Sequence, residues 1–128
     1  MNRAVSGQRP VVLVVESLIR INAVAMVEEA GFEAIAASDA DEAIRILESH
    51  NDIRAVFTDI QMPGSMDGLK LAHAVRNRWP PIKIIVTSGQ RMATENELPE
   101  GGLFFAKPYS PSQIRGVLRE WAGQSLQP

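Results

Sequence analysis

Chemically useful side chains stand where apolar stretches of the chain end, and they are Glu16, Asp59, Thr87 and Lys107. A carboxylate such as Asp59 can act as a nucleophile, hold a metal ion or cap a loop. An ammonium group and a hydroxyl group can bind the oxygens of a phosphoryl group. Together these side chains suit phosphoryl transfer to a carboxylate, in which catalysis comes from positioning and charge neutralisation.

The apolar stretches before these residues predict the strands of a parallel sheet. Val11–Val15 is an unbroken aliphatic run, which is typical of a strand buried on both faces. Similar apolar stretches follow along the chain, and the segments between them have the periodicity of helices. Strands and helices therefore alternate, and the expected fold class is α/β. The other predicted strands cover residues 32–37, 54–58, 82–86 and 103–106.

Capping signals mark where the predicted helices begin. Ser17 can cap the first helix, and Asp39 and Glu42 have the spacing of an N-cap residue and its N3 partner. The last helix is predicted over residues 111–122. Residues 90–102 are polar and contain proline and glycine, so we expect at most a short helix there.

The alternation of strands and helices predicts where the reactive side chains meet. All strands of a parallel sheet end at the same edge, which is where open α/β sheets place their ligands. Each residue taken singly could be an ordinary loop residue, but a group of them at one edge indicates a functional site. Carboxylates and a backbone carbonyl at this edge could hold Mg²⁺, which prefers hard oxygen ligands.

Ordered sequence motifs surround these residues at Val14–Glu16, Phe57–Pro63, Met66–Gly68, Val86–Gly89 and Phe105–Pro108. In these motifs the chain resembles the receiver domains of two-component response regulators, over about residues 10–121. The resemblance implies a flavodoxin-like, doubly wound sheet of five parallel strands in the order 2-1-3-4-5, with helices on both faces.

The resemblance also implies a role for each residue of the predicted site. Asp59 is expected to be the phosphoacceptor, Thr87 the switch hydroxyl and Lys107 the charge partner of the phosphoryl group. Phe104 occupies the place of the family's switch aromatic residue, and the peptide bond between Lys107 and Pro108 is expected to be cis. The expected cofactor is Mg²⁺, with Glu16, Asp59 and the backbone carbonyl of Gln61 as ligands.

Two departures from the family's pattern lie close to this site. The family has two adjacent acids after the first strand, whereas here Glu16 is followed by Ser17 in a shortened segment. Serine is a poor replacement for a carboxylate ligand, so we expect weaker Mg²⁺ binding. In addition, Gly64–Ser65 contains one residue more than the common spacing, which lengthens the loop beside Asp59.

The leading hypothesis is a phosphoacceptor signalling domain, which assists only its own phosphotransfer and dephosphorylation and is not an enzyme. Its expected partners are a histidine kinase or phosphotransfer protein, and a downstream protein that contacts the fourth helix, fifth strand and last helix. The alternative is a degenerate binding module that is not phosphorylated, because Ser17 leaves the acid pair incomplete. A haloacid-dehalogenase-like phosphohydrolase is disfavoured, since Gln61 stands where that family has a general acid.

Composition narrows the remaining possibilities. The chain has 128 residues, a formal net charge of −2 and no cysteine, which excludes disulfides, thiolate metal sites and cysteine nucleophiles. The basic residues Arg76, Arg78 and Lys83 are too sparse for a nucleic-acid site and are expected to be solvated.

No stretch suits a membrane span or a signal peptide, so we expect a cytoplasmic receiver domain at residues 10–122. Residues 1–9 are expected to be extended or disordered, and residues 123–128 to be frayed.

Overall fold

The structure, a computed structural model, describes residues 9–16, 20–90 and 92–125. The predictions for Ser17, for residues 1–8 and for residues 126–128 lie outside this part of the chain. The strands are β1 (Val11–Val15), β2 (Glu33–Ala37), β3 (Ile53–Asp59), β4 (Lys83–Ser88) and β5 (Leu103–Ala106). They form one parallel sheet in the order β2-β1-β3-β4-β5. The predicted fold class and strand order are confirmed.

Helices cover both faces of this sheet, because its central strands are apolar on both sides. The helices are α1 (Arg20–Glu29), α2 (Ala40–Ser49), α3 (Gly68–Arg78) and α4 (Pro111–Ser125), of which the last continues beyond its predicted end. The core under α1 and α4 contains Phe57 and Ile114, and the core under α2 and α3 contains Leu13 and Leu71. Among the described residues, no helix is both long enough and apolar enough to cross a membrane.

Side-chain caps fix the starts of α2 and α3. Asp39 Oδ1 accepts from the Glu42 backbone N–H at 2.8 Å, which confirms the predicted N-cap. Glu42 Oε1 in turn accepts from the Ser38 backbone N–H at 2.7 Å, one residue earlier than a standard capping box requires. Asp67 caps α3 by accepting from the Lys70 backbone N–H at 2.9 Å. These caps hold the helix starts beside the carboxyl edge of the sheet.

A long connection between β4 and β5 takes the place of a fourth regular helix. Within residues 89–102 the only helical element described is a 3-10 turn at Glu95–Glu97, as the polar sequence predicts. The expected partner surface therefore needs a correction, because its fourth helix is a single 3-10 turn. The helix that packs beside β5 after this connection is α4.

Two side chains of α3 fasten this connection to the body of the domain. His73 Nε2 donates to the Glu97 carbonyl at 2.7 Å. Arg76 was expected to be solvated, but its guanidinium donates to backbone carbonyls both in the turn after α3 and in the connection. Turn and loop carbonyls have no partner within a helix or sheet, so they need such donors. The carbonyls that accept from Arg76 belong to Pro80, to Ile82 at 2.9 Å and to Glu100 at 2.9 Å.

The first residue of α3 lies against the backbone of Asp59. The Gly68 N–H donates to the Ile60 carbonyl at 2.9 Å, and a Cβ atom at position 68 would stand 1.8 Å from the Asp59 carbonyl oxygen. No side chain fits in that space unless the backbone moves. Gly68 therefore allows α3 to begin directly beside the residue expected to carry the chemistry.

We expect Gly68→Ala to lower the free energy of unfolding by about 2 kcal/mol, because the added methyl group must displace backbone atoms. Gly116→Ala is the matched control, since a Cβ atom there meets nothing within 4 Å. That substitution should raise the stability by about 0.5–1 kcal/mol through helix propensity. Urea unfolding of both variants checks the pair, and equal effects of the same sign would contradict the close approach at Gly68.

Candidate functional site

Lys107 connects the two acids at the carboxyl edge of the sheet. Its Nζ donates to Asp59 Oδ2 at 2.9 Å and lies 3.9 Å from Glu16 Oε2. The Lys107 backbone N–H donates to the Ser88 carbonyl at 2.9 Å, and the peptide bond to Pro108 is cis, as expected. Three of the side chains predicted to gather at this edge, those of Glu16, Asp59 and Lys107, are thus in contact, because β1, β3 and β5 end at the same level.

Glu16 is the most buried charged group of this cluster. Its side chain is 4% exposed, compared with 14% for Asp59 and 34% for Lys107. Burial raises the pKa of Glu16 from 4.5 to about 7, the positive charge of Lys107 opposes that rise, and the negative charge of Asp59 adds to it. The attraction of Lys107 therefore does not outweigh the cost of burying the Glu16 carboxylate, and a bound cation would lower that cost.

Two buried polar atoms at this edge have no hydrogen-bond partner among the described residues, namely Asp59 Oδ1 and Thr87 Oγ1. Asp59 and Thr87 are neighbours across β3 and β4, where their Cα atoms are paired in the strand register. Buried polar atoms in folded proteins are nearly always satisfied, so each exception calls for an explanation. A carboxylate oxygen and a hydroxyl in these positions suit a bound cation and a phosphoryl oxygen, respectively.

The Gln61 carbonyl is the first one after β3 that accepts no hydrogen bond from the described residues. The Asp59 carbonyl accepts from Thr58 Oγ1 at 3.0 Å, and the Ile60 carbonyl accepts from the Gly68 N–H at 2.9 Å. The next carbonyl, that of Gln61, accepts no hydrogen bond from the part of the chain that the structure describes. Carbonyls farther along this loop likewise accept none from the described residues, so the role of Gln61 as a backbone ligand stays a prediction.

These oxygens fit a hard divalent cation with a small set of ligands. Glu16 and Asp59 supply carboxylates and Gln61 supplies a carbonyl, a donor set that matches the oxygen preference of Mg²⁺. Within the described ranges, no group of three or more His, Asp or Glu side chains could hold a metal ion. The effect of Ser17 on metal binding stays a prediction, because Ser17 lies outside those ranges.

The extra residue in the loop after β3 is anchored to α2. Ser65 Oγ donates to Asp41 Oδ1 at 2.6 Å, and Gly64 adopts a φ of +106° next to the side chain of Asp39. A positive φ is accessible to glycine without steric cost. The lengthened loop is thus held against the first turn of α2.

Phe104 lies on the opposite face of β5 from Phe105. It is half-buried and packs against the core under α2 and α3, whereas Phe105 packs against the core under α1 and α4. Phe104 is paired in register with Val86, the residue before Thr87. The residue expected to be the switch aromatic is therefore one strand away from the expected switch hydroxyl.

Sequence reasoning missed two residues that line this site. Tyr109 stacks edge-to-face on Phe57, with ring centroids 5.8 Å apart, and burial together with the charges of Glu16 and Asp59 raises its pKa to about 12. Ser88 Oγ donates to Gln61 Oε1 at 2.8 Å. The position of Ser88 directly after Thr87 at a strand end was the signal that could have identified it, whereas no sequence pattern marked Tyr109.

Comparison with known proteins agrees with this geometry. A family model for the response regulator receiver domain matches residues 12–119. The transcriptional regulatory protein PdtaR of Mycobacterium tuberculosis is 31% identical over 102 residues, which cover 77% of this chain and 49% of PdtaR. The chain therefore spans about half the length of this relative.

Solved structures show the same fold. A putative two-component system response regulator/GGDEF domain protein superimposes with a TM-score of 0.81 at 26% identity, covering 98% of this chain and 54% of that one. The response regulator TrrA of Thermotoga maritima, solved in complex with Mg²⁺ and BeF, has a TM-score of 0.73 at 23% identity and covers 87% and 97% of the two chains. The chain belongs to the family of response regulator receiver domains of two-component signal transduction.

Proposed function

We propose that Asp59 accepts a phosphoryl group and that the product biases a switch involving Thr87 and Phe104. The observation that carries this proposal is the asymmetric environment of the Asp59 carboxylate. Oδ2 is held by Lys107 Nζ at 2.9 Å, while Oδ1 is buried without a hydrogen-bond partner in the described chain. One oxygen is thereby oriented by a cation and the other is left for new contacts.

In the proposed reaction a carboxylate oxygen of Asp59 attacks phosphorus, and the bond between phosphorus and the donor's leaving atom breaks. The donor departs with the electron pair, and an acyl phosphate remains on Asp59. Lys107 offsets charge on the transferred group, and the Thr87 hydroxyl can donate to a phosphoryl oxygen. The phosphorylated state then shifts a pre-existing equilibrium between two conformations.

Mg²⁺ is the proposed cofactor, held by the carboxylates of Glu16 and Asp59 and by the Gln61 carbonyl. When bound, it would supply the positive charge that draws the phosphoryl oxygens and the carboxylate together. The description of TrrA in complex with Mg²⁺ and BeF supports this choice by analogy. With Ser17 in place of the second acid, the affinity for Mg²⁺ should be lower than that of a receiver domain with a complete acid pair.

The proposed phosphodonor is a histidine kinase or phosphotransfer protein in the cytoplasm. The proposed output is contact with a downstream protein through the connection at 89–102, β5 and α4, without direct binding to nucleic acid. The domain would assist only its own phosphorylation and dephosphorylation and catalyse no other reaction. A net charge of −2 is consistent with a protein partner, because a nucleic-acid surface would favour a basic domain.

One observation favours a second function, a binding module that is never phosphorylated. The described residues bring only two carboxylates, Glu16 and Asp59, into contact with Lys107, and this pair could be too weak a metal site to support the reaction. The retained Lys107 contact favours phosphorylation over this alternative, as does the Thr87 hydroxyl, which has no partner among the described residues.

A titration with Mg²⁺, with and without beryllofluoride as a phosphoryl mimic, separates the two functions. Residue-resolved NMR should show Mg²⁺-dependent shifts at Asp59 and Gln61, and further shifts at Thr87, Phe104 and Lys107 when the mimic is added. A small phosphodonor should also give a retarded species on a Phos-tag gel. Absence of both the shifts and the retarded species would establish the non-phosphorylated module.

We expect Lys107→Ala to separate phosphorylation from the switch. Without Nζ, the ammonium group that joins Asp59 to the end of β5 is lost. Phosphorylation should therefore become slower, and most of the beryllofluoride-induced NMR shift at Phe104 should disappear. NMR and the Phos-tag assay measure the two effects independently. Lys83→Ala, at the opposite end of the sheet, is the matched control and should behave as the wild type. A full shift at Phe104 in Lys107→Ala would contradict the proposed role.

A further inference from the structure

Ser88 joins the two loops that border the phosphoacceptor site. It is the last residue of β4, it is 1% exposed, and its position follows directly on Thr87. Its hydroxyl donates to Gln61 Oε1 at 2.8 Å and accepts from the Gln90 backbone N–H at 3.1 Å. A single buried hydroxyl thus ties the loop after β3 to the loop after β4.

Packing alone does not hold Gln61 in place. The residue borders an open cleft of about 500 Å³, and among the described residues its side chain makes one hydrogen bond, the bond to Ser88. The loop is anchored farther along by Ser65, but at Gln61 itself the bond to Ser88 is the contact that fixes the side chain next to the strand end. The other residues that line the cleft are Ile60, Met62, Pro63, Asp67 and Gln90.

The position of Gln61 matters because its carbonyl is the neutral oxygen of the proposed Mg²⁺ site. The carbonyls of Asp59 and Ile60 already accept hydrogen bonds, from Thr58 Oγ1 and from the Gly68 N–H. With two carboxylates at the site, a backbone ligand contributes a larger share of the binding energy than it would beside three. Ordering that ligand before the cation arrives lowers the entropy cost of binding.

We propose that Ser88 is a positioning residue for metal binding, which holds Gln61 so that its carbonyl can act as the third protein ligand. Ser88 does not itself contact the cation or the phosphoryl group. The proposal rests on the proposed function, because it takes Gln61 as a Mg²⁺ ligand. It adds a residue that tunes the affinity of this site through a side-chain tether between two loops.

Isothermal titration of the metal-free protein with MgCl₂ tests this role. Ser88→Ala should raise the Kd for Mg²⁺ by about three- to tenfold, the effect expected for loss of one neutral hydrogen bond. Gln61→Leu, which removes the acceptor and keeps the backbone carbonyl, should have the same effect. The double variant should be no weaker than either single variant, because both remove the same bond.

A second measurement does not depend on the metal. In the metal-free protein, hydrogen exchange at the Gln90 amide should be faster in Ser88→Ala and unchanged in Gln61→Leu, while exchange within residues 61–66 should be faster in both. Ser49→Ala, an exposed hydroxyl at the end of α2, is the matched control and should change neither exchange nor Mg²⁺ affinity.

The possible outcomes distinguish this inference from the function on which it rests. An unchanged Kd in Ser88→Ala, or additive effects in the double variant, would overturn the positioning role while the wild type still binds Mg²⁺. If the wild type itself fails to bind Mg²⁺ at millimolar concentration, the proposed metal-dependent function is overturned instead. Non-additive losses of affinity together with faster exchange in the loop would support Ser88 as a positioning residue.

Discussion

Asp59→Asn is expected to abolish phosphorylation completely, because a neutral amide is a far weaker nucleophile than a carboxylate and cannot form an acyl phosphate. The variant should still fold, since asparagine has nearly the same shape and retains an oxygen that can accept from Lys107 Nζ, as Oδ2 does now at 2.9 Å. Incubation with Mg²⁺ and a small phosphodonor, followed by a Phos-tag gel and a test of phosphate lability in acid and base, measures the loss.

Asp67→Asn is the matched control for this variant. Asp67 lies in the same stretch of chain and caps α3 through its side-chain oxygen, a role that asparagine also fills well. Asp67→Asn should therefore be phosphorylated as the wild type is. Labile phosphate that persists in Asp59→Asn would show that another residue is the acceptor.

Glu16→Gln is expected to remove a dependence of the free energy of unfolding on pH. In the wild type this dependence amounts to about 3 kcal/mol, because the pKa of Glu16 is raised from 4.5 to about 7. Burial is the main cause of the raised pKa. Between these pKa values the folded protein retains a proton on Glu16 that the unfolded chain has released. The free energy of unfolding of the wild type therefore falls as the pH rises through this interval, and the penalty is fully present above pH 7.

Urea unfolding at several pH values measures the difference in the free energy of unfolding between Glu16→Gln and the wild type. The variant should be the more stable protein above pH 7, and the difference should shrink toward pH 4.5. Mg²⁺ should stabilise the wild type more than the variant, because only the wild type keeps both carboxylate ligands. Glu28→Gln, at an exposed position on α1, is the control, and parallel profiles for all three proteins would contradict the burial of a charged Glu16.

The burial of β1 illustrates what can be inferred without a structure. The unbroken apolar run at Val11–Val15 predicted a strand covered on both sides, and β1 indeed lies inside the sheet between β2 and β3. The polar character of residues 90–102 also predicted at most a short helix, and the described residues of this stretch contain a single 3-10 turn. By contrast, Arg76 was expected to be solvated, since local sequence does not reveal which distant carbonyls lack donors.

The sequence by itself determined which side chains stand at the carboxyl edge of the sheet, because the place where an apolar strand ends is a local property of the chain. Only the tertiary structure decided how they act on one another: the 2.9 Å contact of Lys107 with Asp59, the raised pKa of Glu16, and the tether from Ser88 to Gln61. Those quantities depend on burial and on distances between residues far apart in the chain. Such distances are set by the packing of β1, β3, β4 and β5, which no local pattern encodes.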